Sequence, residues 1–197
     1  MLKKHYLKGT IEAGCDEAGR GCLAGPVFAA AVIFPAGFNH PLINDSKQLS
    51  ARQRYQLREI IESSAVSCAV SMACNEEIDD LNILNASILA MHRALDNLPH
   101  VPEHIIVDGN YFAPWYDVPF KTIIKGDSKY QSIAAASILA KTYRDDYMKR
   151  LHCEYPQYNW EQNKGYPTQK HREAILKFGI SSFHRKTFTL LPSTCKS

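Results

Sequence analysis

The sequence predicts an α/β fold, a mixed β-sheet packed between α-helices, on three observations. Two short apolar runs rich in β-branched and aromatic residues, 11–16 and 27–34, follow one another across a glycine turn and Gly25-Pro26, as adjacent strands do. From residue 50 onward helical and strand patterns alternate, the arrangement of helices laid against a sheet. Carboxylates also stand beside glycines where three of the strand patterns end, at Asp16-Glu17, Asp108 and Asp127.

Taken in order, residues 35–41 read as loop, and Asn44-Asp45-Ser46-Lys47 follows. Ser50 with Gln53 is a capping-box pair that opens a helix to about Ser63. Val66 to Met72 alternates weakly, as a third strand. Asn75, followed by Glu76 and Glu77, marks a helix start with acidic residues where the helix dipole favours them. Ile83, Leu84, Ile88, Met91 and Leu95 then recur at helical spacing over 83–97, a second amphipathic helix that Pro99 and Pro102 stop. Residues 104–110 give a buried strand ending in Asp108, and 120–124 a further strand ending near Asp127. The longest helix covers 130–150, with small residues at 134–137 suited to close packing and Lys141, Arg144, Lys149 and Arg150 towards its end. A last helix, 169–178, is closed by Gly179.

Composition narrows the class. At 197 residues and 45 % apolar content the chain suits one domain with a sizeable core. No run approaches the roughly 18 consecutive apolar residues of a membrane span, and the opening Met1-Leu2-Lys3-Lys4 lacks the apolar stretch of a signal peptide, so a cytoplasmic protein is expected. Six cysteines without a Cys-x-x-Cys pair, and histidines without zinc-like spacing, argue against a disulfide framework or a zinc site and for reduced structural thiols. Net charge is +3 but uneven: residues 1–119 hold 9 Lys/Arg against 14 Asp/Glu, and residues 120–197 hold 14 against 6. An acidic part beside a basic one suits a metal-dependent enzyme acting on a polyanion, and equally a solvated basic surface.

The chemistry centres on residues 11–26. Asp16 and Glu17 run into Gly19-Arg20-Gly21, where missing side chains let backbone come close to whatever the carboxylates hold. If Asp16, Glu17, Asp108 and Asp127 converge, their like charges raise one another's pKa unless a cation compensates. Oxygen donors of this kind suit Mg²⁺ or Mn²⁺, and two such ions can serve an in-line phosphodiester displacement. Lys47 and Lys164 can hold phosphates as point charges, and Ser46 can add a hydrogen bond. Asp45-Ser46 also reads as a turn or capping pair, and Tyr166 as a partly buried structural aromatic.

An ordered set of motifs completes the reading. Asp-Glu-Ala-Gly-Arg-Gly at 16–21, Asn-Asp-Ser-Lys at 44–47, Ile-Asp-Asp-Leu-Asn-Ile-Leu at 78–84 and Val-Asp-Gly-Asn at 107–110 come first. Lys-Gly-Asp-Ser at 125–128, Ala-Ala-Ser-Ile-Leu-Ala-Lys at 135–141, Arg-Asp at 144–145 and Lys-Gly-Tyr-Pro-Thr at 164–168 follow. Together they resemble the bacterial ribonuclease HII family over about residues 10 to 190. The resemblance implies an RNase H-like fold, a mixed five-stranded sheet flanked by helices. Residues 1–197 would form a single catalytic domain, with about 150–197 a small helical C-terminal extension that contributes to substrate binding.

It further implies an endonuclease that cuts the RNA strand of RNA–DNA hybrids and incises 5′ of a single ribonucleotide in duplex DNA, leaving a 3′-hydroxyl and a 5′-phosphate. By that resemblance Asp16, Glu17, Asp108 and Asp127 are the catalytic metal carboxylates, with two Mg²⁺ or Mn²⁺ ions when substrate is bound. Gly19-Arg20-Gly21 would sense the ribose 2′-hydroxyl, and Tyr166 would help select the RNA–DNA junction. Ser46, Lys47 and Lys141 are candidate phosphate contacts in sequence-tolerant binding. A monomer is expected, and residues 191–197 carry no partner-binding signature. Cys22, beside the turn, would make the enzyme oxidation-sensitive if its thiol were activated. Two rivals are a ribonuclease HIII-like hybrid nuclease, against which the Gly-Arg-Gly turn and Tyr166 stand, and a non-catalytic hybrid-binding module. A pure binder would gain nothing from clustered negative charge facing phosphates.

Overall fold

The computed structural model describes residues 2–192; Cys195 and most of the 191–197 tail lie outside the described residues. Five strands form one sheet: β1 (Glu12–Ala18), β2 (Val27–Ile33), β3 (Ser67–Ala73), β4 (His104–Asp108) and β5 (Phe120–Ile123). Their spatial order is β3-β2-β1-β4-β5, antiparallel from β3 to β1 and parallel from β1 to β5, so the sheet is mixed as expected.

Period-two alternation in β2 divides the core. Val27, Ala29, Ala31 and Ile33 join a cluster with α2 (Asn75–Asp96) on one face, while Phe28, Ala30 and Val32 join another with α1 (Ala51–Ser64) and α3 (Gln131–Glu154) on the other. Small residues let α3 lie close to the sheet: a Cβ at Gly14 would fall 2.4 Å from the Ser132 carbonyl carbon. A side chain at position 14 would therefore lift α3 off β1.

Local signals explain most boundaries. Ser50 caps α1, its Oγ accepting from Gln53 N while Gln53 Oε1 accepts from Ser50 N. Thr168 caps α5 (Gln169–Phe178), and Gly179 follows with φ 78°. The two helices expected near 75 and over 83–97 are one element bent at Asn82 (φ 68°, ψ 163°), whose Oδ1 accepts from Leu84 N and Asn85 N and so restarts the second part. The capping position at its start is Cys74 rather than Asn75; Glu77 accepts from Cys74 N, and the Asn75 side chain donates to Ser182 O. Past α3, a short helix α4 (Trp160–Asn163) that no capping signal announces packs Trp160 with Tyr158, Met148, Leu151 and Ile175 in a third cluster.

Candidate active site

Register places the first two carboxylates. In the parallel β1–β4 ladder Glu12 pairs with His104 and Cys15 with Val107, so the same offset carried one residue further sets Asp16 beside Asp108. Both lie at carboxyl ends of parallel strands, where open α/β sheets keep their sites. β1 is longer than the sequence suggested, running through Glu17 to Ala18, because Asp16, Glu17 and Ala18 pair with Ala30, Ala29 and Phe28 of β2. The carboxylates thus sit on rigid strand and not on the glycine loop.

Of the carboxylates and substrate-binding residues that the family resemblance implies, all but Asp127 line one cleft of about 280 Å³. Asp127 stands at its margin in a 3₁₀ turn after β5, and its Oδ2 lies 3.5 Å from Lys47 Nζ. Asp108 Oδ1 accepts from Gly126 N at 2.6 Å, which ties the β4 and β5 ends together. Arg20 Nη1 sits 3.2 Å from Glu17 Oε1. Lys141 Nζ lies 2.6 Å from Asp145 Oδ1 and 5.8 Å from the Tyr166 ring centre.

Asp45 turns out to cap a 3₁₀ turn, accepting from Lys47 N, as the turn alternative held. Ser46 is buried, its Oγ 2.9 Å from Ser137 Oγ. Arg54, on α1, donates to the carbonyls of Ser46 and Leu49 and fixes that loop.

Negative charge exceeds positive here. Burial, then the charges of Glu17 and Asp108, push the Asp16 carboxyl well above its usual range, against hydrogen bonds from Ser137 and Glu17 N. Glu17 is raised by burial despite Arg20. Asp127 is raised by burial and by Asp108 and Asp45, with Lys47 opposing. Burial pulls Lys47 down, but the neighbouring Asp127, Asp45 and Asp16 more than offset it, leaving the amine raised.

That imbalance tests whether the residues suit a divalent cation. Among the described residues no group of three His, Cys, Asp or Glu side chains is close enough to hold an ion alone. Mg²⁺ does not require one: it is held through one or two carboxylates with substrate phosphates and water. An open set of oxygen donors short of positive charge fits that mode.

The glycine turn is shaped from beneath by two arginines that the motif reading gave no part in the site. Gly19 has φ +100°, and a Cβ there would fall 2.0 Å from Arg144 Nε, so both conformation and space demand glycine. Gly21 has open space around its Cβ position and faces the cleft. Arg144 is fully buried and donates to Pro26 O, Lys164 O and Ala24 O. Its place was legible in spacing: Ser137, Ala140, Arg144, Met148 and Leu151 form the buried stripe of α3. Arg185, also fully buried, donates to Gly25 O, Arg20 O and Gly19 O. Burial lowers its pKa to about 10. It lies in an irregular segment after α5, where no periodicity distinguishes it from a surface arginine.

Tyr166 is held by a histidine network. His171 Nδ1 donates to Tyr166 O at 2.9 Å, which leaves the one lone pair of Nε2 to accept from Trp160 Nε1 at 3.0 Å, with His184 Nε2 packed 3.2 Å from the same nitrogen. Burial raises the Tyr166 phenol, with Cys22 adding to the effect. Cys22 itself is fully buried, which denies it the exposure an oxidation-sensitive thiol needs.

Among the described residues no helix is long and apolar enough to cross a membrane. The family model described as Ribonuclease HII matches residues 13–191. A curated relative named Ribonuclease HII from Bacteroides fragilis is 66 % identical over 191 residues, covering 97 % of this chain and 95 % of that one. Another, from Parabacteroides distasonis, is 62 % identical over 192 residues, covering 98 % and 96 %. The crystal structure of the ribonuclease H2 from Pyrococcus horikoshii superposes with a TM-score of 0.76 at 27 % identity, covering 91 % of this chain and 94 % of that one. On the family match, these identities and the shared five-stranded fold, the chain belongs to the ribonuclease HII family of RNase H-type endoribonucleases.

Proposed function

We propose that this endoribonuclease hydrolyses the RNA strand of RNA–DNA hybrids and incises duplex DNA 5′ of a single embedded ribonucleotide, leaving 3′-hydroxyl and 5′-phosphate ends. The observation that carries the reading is the β1–β4 register, which sets Asp16 beside Asp108 in the cleft that also holds the Gly19-Arg20-Gly21 turn.

Asp16, Glu17, Asp108 and Asp127 are the residues that would hold two Mg²⁺ or Mn²⁺ ions. When bound, the ions would supply charge neutralisation and a more acidic water for attack on phosphorus. The chain's own groups bind and orient. Arg20 and Lys47, each now on a carboxylate, are free to turn to phosphate oxygens once a cation relieves those carboxylates. Gly21, open towards the cleft, lets backbone reach a ribose 2′-hydroxyl, the one group that marks RNA at a given site. Tyr166, a residue 40 % exposed at the cleft, presents a ring against which the sugar at a junction can rest. Residues past α3 bring Tyr166 to the cleft, which supports a share for the C-terminal extension in substrate binding. A substrate made in chromosomal DNA agrees with a cytoplasmic enzyme.

Single-turnover cleavage of a duplex carrying one ribonucleotide, with Mg²⁺, with Mn²⁺ and with chelator, tests this. A metal-dependent cut on the 5′ side, lost in Asp108→Asn, is expected. Cleavage of long hybrids alone would indicate the HIII-like activity, and binding without cleavage a binding module.

A further inference from the structure

Arg185 is buried without any ion-pair partner among the described residues. A guanidinium withdrawn from water with no counter-ion is kept only where its donors are well used. Its fork closes on Gly19 O at 2.8 Å and Arg20 O at 2.8 Å, and its Nε on Gly25 O at 3.0 Å.

The two adjacent carbonyls matter because a peptide unit is planar and trans, so each C=O points opposite to the N–H that follows it. Holding Gly19 O and Arg20 O on one side aims the N–H groups of Arg20 and Gly21 to the other side. Neither N–H donates to another protein group among the described residues, and both residues line the cleft. The segment carrying Arg185 is itself tied down: Asp79 on α2 accepts from Lys186 N, Thr187 N and Thr187 Oγ1, and Arg185 N donates to Leu23 O.

We propose that Arg185 is a positioning residue for the cleavage reaction, a buried fork that aims the Arg20 and Gly21 N–H groups at the ribose 2′-hydroxyl. The proposal rests on the functional reading above. A lysine keeps the charge but cannot span three carbonyls, so Arg185→Lys is the discriminating variant and Arg185→Gln its neutral companion.

The experiment measures kcat and KM for the full chain on a duplex with one ribonucleotide, alongside thermal melting. Both variants are expected to lose on the order of 100-fold in kcat, the scale of a misaimed group. KM should stay within about threefold, because the lysine contacts to phosphate are untouched. Asp79→Ala, which loosens the segment and takes one nearby negative charge from Arg185 while leaving the guanidinium and its three carbonyls in place, should lose about five- to tenfold in kcat. A folded Arg185→Lys protein with wild-type kcat overturns the proposal, as does a loss that follows the unfolded fraction when the assay is cooled. If neither Arg185 variant folds, Asp79→Ala decides, and wild-type kcat there overturns it. Wild type that cleaves neither single ribonucleotides nor hybrids defeats the functional reading and the proposal together, whereas an active wild type beside indifferent variants defeats Arg185's role alone.

Discussion

Strand β1 carries a buried carboxylate near each end, and the protein treats them in opposite ways. Glu12 accepts from Tyr6 N at 2.9 Å and Leu7 N at 3.0 Å, and His104 Nδ1 lies 3.2 Å away. Asp16, just as buried, has Glu17 and Asp108 for neighbours and is held well above its usual pKa range. Both accept hydrogen bonds, but Glu12 faces donors alone, whereas Asp16 is set against two other carboxylates in an open cleft, and a group so placed is kept for something not part of the chain.

The sharpest way to break the comparison is to remove one charge from the crowded end. Asp108→Asn should lower kcat by about 10³-fold or more, since it removes an oxygen donor to the reacting centre. The same variant should melt no lower than wild type, because it also relieves the repulsion on Asp16. A melting point well below wild type would place Asp108 with Glu12, as a structural group.

The next largest effect concerns groups buried neutral. Burial, and then His171, lower the His184 pKa to about 4, below the roughly 6.5 of an unfolded histidine. The unfolded chain therefore binds the proton first, so this stability is complete above about pH 6.5 and is lost as pH falls towards 4, by up to roughly 3 kcal/mol. Denaturant midpoints across that window check it; a flat profile removes the histidines from the account.

Glu12→Gln should cost about 1–2 kcal/mol, because an amide nitrogen then meets a backbone N–H, while kcat of the folded protein stays unchanged. Lost activity there would erase the contrast between the two ends. The smallest effect belongs to Lys47, with an 80 % exposed side chain. Lys47→Met should weaken duplex binding several-fold at low salt and reduce the slope of log K against log salt by about 0.9.

How far the sequence could be read follows from the range of each interaction. β2 was visible because both its faces are buried, and α1 because Ser50 and Gln53 lie three apart. Asp16 and Asp108 were visible as acids beside glycines, but their adjacency depends on a parallel register between strands 92 residues apart, which no local pattern encodes. Arg144 was readable from helical spacing and passed over as one basic residue among several near the end of α3. Arg185 was not readable: its bonds are to backbone carbonyls, which every residue has. The bend at Asn82 divides what the sequence showed as two helices, and its backbone (φ 68°, ψ 163°), a conformation usual only for glycine, is held by side-chain bonds to Leu84 N and Asn85 N that no residue pattern announces.

The contact between Arg185 and Gly19 spans 166 positions of chain. A bond of that reach forms only after a long loop has closed, and the entropy of that closure has to be met by the sheet and helices assembling first. The glycine turn, encoded near the beginning of the sequence, is thus among the last parts of the molecule to take its final shape. A chain caught midway through folding would carry its carboxylates on a formed strand with the turn beside them still unset, so catalytic competence should lag behind the recovery of secondary structure.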